Sequence, residues 1–239
     1  MGATFSILRR EIGAYFNTPI GYVFMIFFLL LTRVIYVSTL FSSGVAEMRQ
    51  FFGLMPFFLM FFVPAVSMRL LAEERKMGTL ELLLTMPIKT WQAVVGKYLA
   101  GLVFIGLWFL FTLDIPIVLG MFGNPDYGTL ACGYLGTMVL AMIYLAIGTF
   151  ASSLTSDQIV AFVIACSINF VFFLMGYNPA LEQLRDKSEV AADVISRFGI
   201  DYHFESITRG VVDSRDIIYA LTMTGLFLVL SIFVVERRR

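Results

Sequence analysis

The 239-residue sequence has few of the residues that build catalytic and metal sites. It contains one histidine and two cysteines, and its 17 basic and 17 acidic residues cancel to a formal net charge of zero. Cys132 and Cys166 lie inside apolar runs, where two cysteines make neither a disulfide framework nor a metal site. Those runs also lack paired carboxylates or a Ser/His pair, so an intramembrane enzyme has no support. The neutral charge gives no indication of nucleic-acid binding.

Apolar residues, by contrast, are abundant. They make up 59% of the chain, against about 45–50% in an ordinary globular protein. They cluster in runs of about 20 residues, the length that a helix needs to cross a bilayer. Backbone polar groups in hydrocarbon must be satisfied within the segment, and the runs lack the alternation of barrel strands. We therefore predict an all-α integral membrane protein, one transmembrane domain over residues 1–239, with six transmembrane helices: residues 20–41, 51–71, 93–119, 129–152, 159–177 and 217–235.

The segments between the runs differ in character. Residues 1–18 place apolar side chains on one face and charged ones on the other, which predicts an amphipathic helix in the membrane interface; a frayed terminus is the alternative. Residues 72–92 form a charged loop between the second and third spans. Residues 178–216 are mostly polar, with apolar residues spaced for one or two short amphipathic helices that cap the bundle. The first run is too long for the apolar part of a cleavable signal peptide.

The basic residues predict the orientation of the chain. With the N-terminus in the cytoplasm, the loops on that side hold Arg9, Arg10, Arg75, Lys76, Lys89 and the final Arg237, Arg238 and Arg239. Most basic residues of the other side lie in the long segment 178–216, which weighs little in the positive-inside rule. We therefore expect both termini and residues 72–92 in the cytoplasm and residues 178–216 outside.

The most informative segment joins the second and third spans. Residues 69–100 read RLLAEERKMGTLELLLTMPIKTWQAVVGKYLA. Gly78 breaks the helix, Thr79 can cap the next one, and Pro87 ends the leucine-rich stretch between them. A featureless solvated loop, the alternative interpretation, needs no leucine-rich helix between a Gly and a Pro. The pattern predicts a short helix lying across the base of the bundle.

This segment closely resembles the signature of ABC-2 type transporter permeases. It shares with them an acidic pair after the second span, the sequence GTLELLL at residues 78–84, the proline, and Gly96–Lys97 before the next run. Residues 145–162, LAIGTFASSLTSDQIVAF, resemble the junction of the fourth and fifth spans in gliding-motility-associated and copper-enzyme-maturation permeases. The resemblance covers nearly the whole chain, and its motifs indicate the family but not the substrate.

The resemblance implies partners. Such permeases pair as two copies or two related chains in a bacterial or archaeal cytoplasmic membrane, and each docks on a cytoplasmic ABC ATPase that holds ATP and magnesium. An accessory protein outside the membrane is a further implied partner. Because the sequence lacks the G-x-x-x-x-G-K-[ST] phosphate loop, we expect this chain to bind no cofactor and to hydrolyse no ATP alone. The family also implies an ATPase-coupling role for Glu73, Glu74, Arg75, Lys76, Gly78, Thr79, Leu80, Glu81, Leu83 and Pro87.

Three polar residues lie within the predicted spans. An intramembrane charge costs about 2.5–3.5 kcal/mol on insertion scales and marks a candidate functional site. Arg33 and Asp114 lie at similar depth in the first and third spans, and they either pair, face a polar cavity, or snorkel separately to the outer interface. Asn169 in the fifth span is expected to bond across a helix or dimer interface. The single histidine, His203, gives poor support for a metal site or a catalytic base.

Other residues within the spans shape the helices. Pro56, Pro64 and Pro116 predict kinks or unwound turns, although membrane helices also tolerate proline. Small residues that let helices approach closely occur in three spans: Gly96, Gly101, Gly106, Gly133, Gly136, Ala161 and Ala165.

Two other functions compete with ATP-driven export. A secondary transporter or channel would be expected to show internal repeats and several midplane charges, and this sequence shows no convincing repeat and few such charges. A mechanical or assembly complex of the same family is not separable from an exporter by sequence. The leading prediction is the membrane-spanning permease subunit of an ATP-binding-cassette exporter.

Overall fold

The computed structural model describes residues 2–43, 48–79, 88–122, 125–177, 181–182, 185, 189–210 and 213–237. Nearly all of these residues are helical, and none of them lies in a strand. The helices are α1 (Ala3–Asn17), α2 (Pro19–Ser43), α3 (Arg49–Ser67), α4 (Arg69–Lys76), α5 (Thr90–Phe111), α6 (Asp114–Phe122), α7 (Tyr127–Leu154), α8 (Gln158–Gly176), α9 (Glu189–Phe198), α10 (Ile200–Thr208) and α11 (Ser214–Glu236).

Six stretches of the described chain are long and apolar enough to cross a membrane: α2, α3–α4, α5–α6, α7, α8 and α11. The predicted fold class, an all-α membrane protein with six spans, is confirmed. About two thirds of α3–α4 and of α7 is buried, against roughly a quarter of α2, α8 and α11. The second and fourth spans therefore form the centre of the bundle, and the others present apolar side chains outward, as lipid requires.

Glycines set how closely the two central spans approach. A Cβ at Gly133 of α7 would lie 2.6 Å from ring carbons of Phe52 in α3, and one at Gly148 would lie 2.7 Å from the Cβ of Ser67. Real Cβ atoms do not approach so closely, so only glycine allows α7 to lie this near α3 at both ends.

The helix ends group on two sides of the bundle. Leu71, Val94 and Val235 pack together, so the start of α4, the start of α5 and the end of α11 are neighbours. The contact between Lys97 of α5 and Glu11 of α1 adds the first helix to this group. We call the side of the bundle where these helix ends lie the N-terminal side. The C-terminal end of α8 and the short helices α9 and α10 lie on the opposite side, where Gly176 and Gly199 touch.

The third span is interrupted, as Pro116 predicts. Its two helices are separated at residues 112–113, because Pro116 has no N–H for the Thr112 carbonyl four residues earlier. That carbonyl accepts instead from the Ile115 N–H and from the Tyr134 hydroxyl, each at 3.0 Å. Pro56 and Pro64 leave α3 a continuous helix. The Met60 carbonyl, which Pro64 leaves without its helical donor, accepts from the Cys166 thiol with a sulfur–oxygen distance of 3.7 Å.

Helix α1 packs tightly against the bundle. Ile7 and Tyr15 are buried, and the Tyr15 ring stacks on Phe104 of α5 with a centroid distance of 4.5 Å. The Tyr15 hydroxyl donates to the Val66 carbonyl at 3.2 Å. A Cβ at Gly96 would lie 3.1 Å from the Thr4 carbonyl oxygen, so this glycine lets α1 lie directly on α5. The sequence predicted the amphipathic helix but not this docking.

Candidate functional site at the break between α3 and α4

The second span is interrupted at Met68, where α3 ends and α4 begins. The first N–H groups of any helix have no intrahelical acceptor, and the Met68 side chain makes no cap hydrogen bond. The N–H groups of Leu71 and Ala72 donate instead to the hydroxyl oxygen of Ser152 in α7, at 3.0 and 2.9 Å. The Ser152 hydroxyl in turn donates to the Met68 carbonyl at 3.0 Å. Helix α4 is therefore capped by a side chain from a different helix.

Two further contacts join α4 and the end of α3 to α7. Arg75 Nη1 donates to the Ser153 carbonyl oxygen at 2.9 Å, and Gly148 leaves room for Ser67. The two segments that carry the family resemblance, residues 69–100 and 145–162, therefore meet at the break, through residues that lie about 80 positions apart in the chain.

A buried lysine joins α4 to α1 and α5. Lys97 of α5 is 1% exposed, and its Nζ lies 3.0 Å from Glu11 Oε1 and 2.9 Å from Glu74 Oε1. Arg10 Nη2 lies 2.7 Å from the same Glu11 oxygen and 2.8 Å from the same Glu74 oxygen. We call Arg10, Glu11, Glu74 and Lys97 the four-charge cluster. It links three helices at the N-terminal side.

The cluster holds Glu11 in its ionised form. Burial alone would raise the pKa of the Glu11 carboxyl, but Lys97 and Arg10 together hold the pKa below its ordinary value. Hydrogen bonding to Glu11 raises the pKa of Arg10 in turn. The stabilisation from Glu11 is therefore present above the ordinary glutamate pKa and is lost as the pH falls through the lowered value. Glu74 Oε2 is buried and has no hydrogen-bond partner within the described chain.

A second ion pair lies beside the cluster. Arg69 Nε lies 2.9 Å from Glu73 Oε2, and Arg69 Nη1 donates to the Thr18 hydroxyl at 2.9 Å. A cavity of about 470 Å³ opens between α1 and α4, and Tyr15 and both charge groups line it. Charges of both signs therefore surround α4 on the side away from α7.

The predicted coupling residues divide into three groups. Glu73, Glu74 and Arg75 have partners inside the chain. Lys76 is exposed, and Gly78 has a φ of +70°, the left-handed conformation that ends helices. The Thr79 hydroxyl donates back to the Glu74 carbonyl at 3.2 Å, so it closes α4. The remaining four predicted residues lie outside the described residues: Leu80, Glu81, Leu83 and Pro87.

Sequence reasoning missed three contributors to this site. Ser152 and Glu11 carry no signal that a single sequence shows, because a serine near a helix end and a charge on an amphipathic helix are both common. Lys97 had such a signal. A lysine eight residues inside an apolar helix needs a buried acid as its partner.

An apolar groove of about 360 Å³ lies next to the break. Helices α2, α3 and α8 form its walls, and every lining side chain is apolar: Phe24, Phe27, Phe61, Phe62, Ala65, Met68, Ile159 and Phe162. Met68, the residue at the break, is one of the residues that line the groove.

The structure brings Arg33 and Asp114 together. Arg33 Nε and Nη2 donate to Asp114 Oδ2 at 3.0 and 2.9 Å, and Nη2 also donates to the Phe111 carbonyl at 3.0 Å. The pair thus satisfies a carbonyl at the interruption between α5 and α6. Asn169 is fully buried, and its amide has no hydrogen-bond partner within the described residues.

We expect removal of either charge of this pair to destabilise the protein. Arg33→Ala leaves Asp114 unpaired within the spans, and Asp114→Ala does the same to Arg33, at about 1–3 kcal/mol each. The exchange of Arg33→Asp with Asp114→Arg should recover most of the loss in thermal unfolding of the purified protein. Exposed Arg197, changed to Ala, serves as the control. An exchange as unstable as the worse single variant would contradict a functional pair.

On the side of the bundle opposite the N-terminal side, the single histidine connects three helices. His203 Nδ1 lies 2.7 Å from Asp216 Oδ1, and its Nε2 lies 3.1 Å from the Arg197 carbonyl oxygen. Its ring stacks on Tyr219 at 4.1 Å. These contacts hold α9 and α10 on the start of α11. In the part of the chain that the structure describes, no group of three or more His, Cys, Asp or Glu residues is placed to hold a metal ion.

Comparison with known proteins agrees with the motifs at the break. A family model described as "ABC-2 family transporter protein" matches residues 37–235. The chain is 33% identical over 118 residues to the probable multidrug ABC transporter permease YbhR of Escherichia coli strain K12, and equally to its namesake in strain O157:H7. That match covers 47% of this chain but only 30% of either relative. Because the family model covers most of the sequence, including both segments that meet at the break, the chain belongs to the ABC-2 family of transporter proteins.

Proposed function

We propose that this chain is the membrane-spanning permease subunit of an ATP-binding-cassette exporter and that a separate cytoplasmic ATPase drives it. The observation that carries the proposal is the attachment of α4. This short helix continues the second span and is tied to α1 and α5 by the four-charge cluster and to α7 by Ser152 and Arg75. A push on α4 would therefore reach the two central spans together.

The end of α4 offers the surface on which an ATPase would push. Lys76 is exposed, Met77 is 61% exposed, and Gly78 turns the chain into the predicted leucine-rich helix. Behind this tip, the charged residues of α4 are held inside the chain. We propose that the tip and residues 79–87 dock on the ATPase while the ion pairs transmit its movement. The N-terminal side would then face the cytoplasm, as the positive-inside rule predicts.

Membership of the family supports proposals for the other components of the transporter. We propose that two copies, or this chain and a related one, pair in the cytoplasmic membrane of a bacterium or archaeon, and that ATP and magnesium bind on the ATPase. The apolar groove next to the break is suited to a lipid-like or amphipathic substrate, since none of its lining side chains is polar and able to bind a hydrophilic one. The name of YbhR, a probable multidrug permease, agrees with such a substrate. Residues 145–162 favour the gliding-motility-associated and copper-enzyme-maturation subgroup.

Recruitment of an ATPase tests this proposal. Tagged wild-type chain, solubilised from membranes of its own organism, should retain an ABC ATPase that mass spectrometry identifies by its phosphate loop. Met77→Glu at the tip should reduce the retained ATPase about tenfold, a loss of about 1.4 kcal/mol in binding. Val190→Glu on α9, where Val190 is 76% exposed on the opposite side, is the matched control and should bind normally.

A wild-type chain that retains no ABC ATPase would contradict the proposal and favour a secondary transporter or channel. Equal binding by the two glutamate variants would show that the tip is not the docking surface. Alanine at both Glu73 and Glu74 is a poorer test, because it also removes ion pairs inside the chain.

A further inference from the structure

We propose that Ser152 is a positioning residue that sets the angle of α4, an inference that rests on the proposed coupling role of that helix. The Ser152 hydroxyl has one proton to donate and two lone pairs to accept with. It uses all three, toward the Met68 carbonyl and the N–H groups of Leu71 and Ala72. Its oxygen and β-carbon are fully buried, with 0% of the residue exposed.

Helix α4 has no substitute for this cap within its own sequence. Helices are usually capped by Ser, Thr, Asp or Asn at the residue before the first turn. Here that residue is Met68, which makes no side-chain hydrogen bond to the first turn. The cap comes from 80 residues further along the chain, so the interruption of the second span is stabilised by the position of α7.

The break allows two alternative hydrogen-bond arrangements of the second span, one with Ser152 and one within a continuous helix. In an unbroken helix the N–H groups of Leu71 and Ala72 would donate to the carbonyls of Ser67 and Met68, four residues earlier. Joining α3 and α4 into one continuous helix would exchange the three hydrogen bonds of Ser152 for two main-chain bonds. Movement of α7 away from Met68 would favour the straight form, and docking that fixes the tip of α4 would favour one form over the other.

The angle of α4 can be measured directly on the full chain in nanodiscs. Spin labels at Met77→Cys and Ile159→Cys, both exposed positions, report the distance from the tip of α4 to the start of α8, with Cys132 and Cys166 changed to Ser. An eight-residue helix is about 12 Å long, so a tilt of roughly 25° moves its tip by about 5 Å. Ser152→Ala should add a second distance population shifted by about this amount.

Ser153 is the matched control. It is also buried, but its hydroxyl donates only within its own helix, to the Phe150 carbonyl at 2.7 Å. Ser153→Ala should keep the wild-type distance distribution. Ser152→Thr, which keeps a hydroxyl, should restore it. If Ser152→Ala does not fold, Ser152→Val, which has the shape of the threonine variant without its hydroxyl, should show the same second population.

A single wild-type distance in both Ser152→Ala and Ser152→Val would overturn the inference, and so would an equal shift in Ser153→Ala. Failure of the proposed function is distinguishable from this outcome. If the wild-type chain retains no ABC ATPase, the coupling proposal fails whatever the distances show. If it retains the ATPase and the distances do not change, only the role of Ser152 is wrong.

Discussion

Replacing Lys97 with methionine is expected to destabilise the protein by about 3–5 kcal/mol, the usual result of leaving a buried charge without its partner. Lys97 is 1% exposed and contacts both Glu11 and Glu74, which are 14% and 13% exposed. Methionine fills much of the same space but leaves these two carboxylates against each other. Arg10 stays paired with both carboxylates, but it is 52% exposed and therefore offsets only part of the loss. Thermal unfolding in detergent micelles measures the loss.

Two comparisons show whether the loss comes from charge. Adding Glu11→Gln and Glu74→Gln to Lys97→Met should recover most of the stability, since only the half-exposed Arg10 then stays charged and no buried ion is left unpaired. Arg10→Met removes an exposed cation from the same cluster and should cost less than about 1 kcal/mol. A Lys97→Met variant no less stable than Arg10→Met would contradict a central role for the lysine.

Gly148→Ala is expected to destabilise the protein by about 1–3 kcal/mol through overpacking. The added Cβ would lie 2.7 Å from the Cβ of Ser67 and closer still to its hydroxyl. Both residues are in the two central spans, so relief requires the end of α7 to move away from α3. That movement also withdraws Ser152 from α4. We therefore expect lower thermal stability together with a wider spread of the spin-label distances at the tip of α4.

Gly225→Ala is the matched control for this glycine. Apart from its chain neighbours and the backbone of its own helix, no atom of the described residues lies within 4 Å of a Cβ at Gly225 in α11, and alanine in a helix is more stable than glycine by about 0.5–1 kcal/mol. The second-site change Ser67→Gly should rescue Gly148→Ala by removing the clashing atoms. Equal effects of Gly148→Ala and Gly225→Ala would mean that close packing of α3 and α7 is not required.

Part of the candidate site could be predicted because its signals are local. Gly78 stops α4 by its left-handed φ, and Pro116 interrupts the third span because it lacks an N–H group. The pairing of Arg33 with Asp114 is one of the alternatives that the sequence predicts. A helix rises by a fixed length per residue, so the number of residues from the end of each span gives the depth of the side chain in the membrane. The end of α4 was less predictable, because residues 73–76 are charged and yet helical. Ion pairs with α1 and α5 stabilise this part of α4, where buried apolar side chains do not.

By itself the sequence determined that this protein crosses a membrane six times and belongs to its family, because span length, apolar composition and short motifs are local properties. Only the tertiary structure decided what the motif residues do. Glu74 meets Lys97 of α5, and Ala72 meets Ser152 of α7, across 23 and 80 residues of chain. Such contacts depend on how α1, α4, α5 and α7 pack, and no local pattern encodes that packing. Glu74 and Arg75 of α4, expected from the sequence to couple to an ATPase, contact α1, α5 and α7 within this chain.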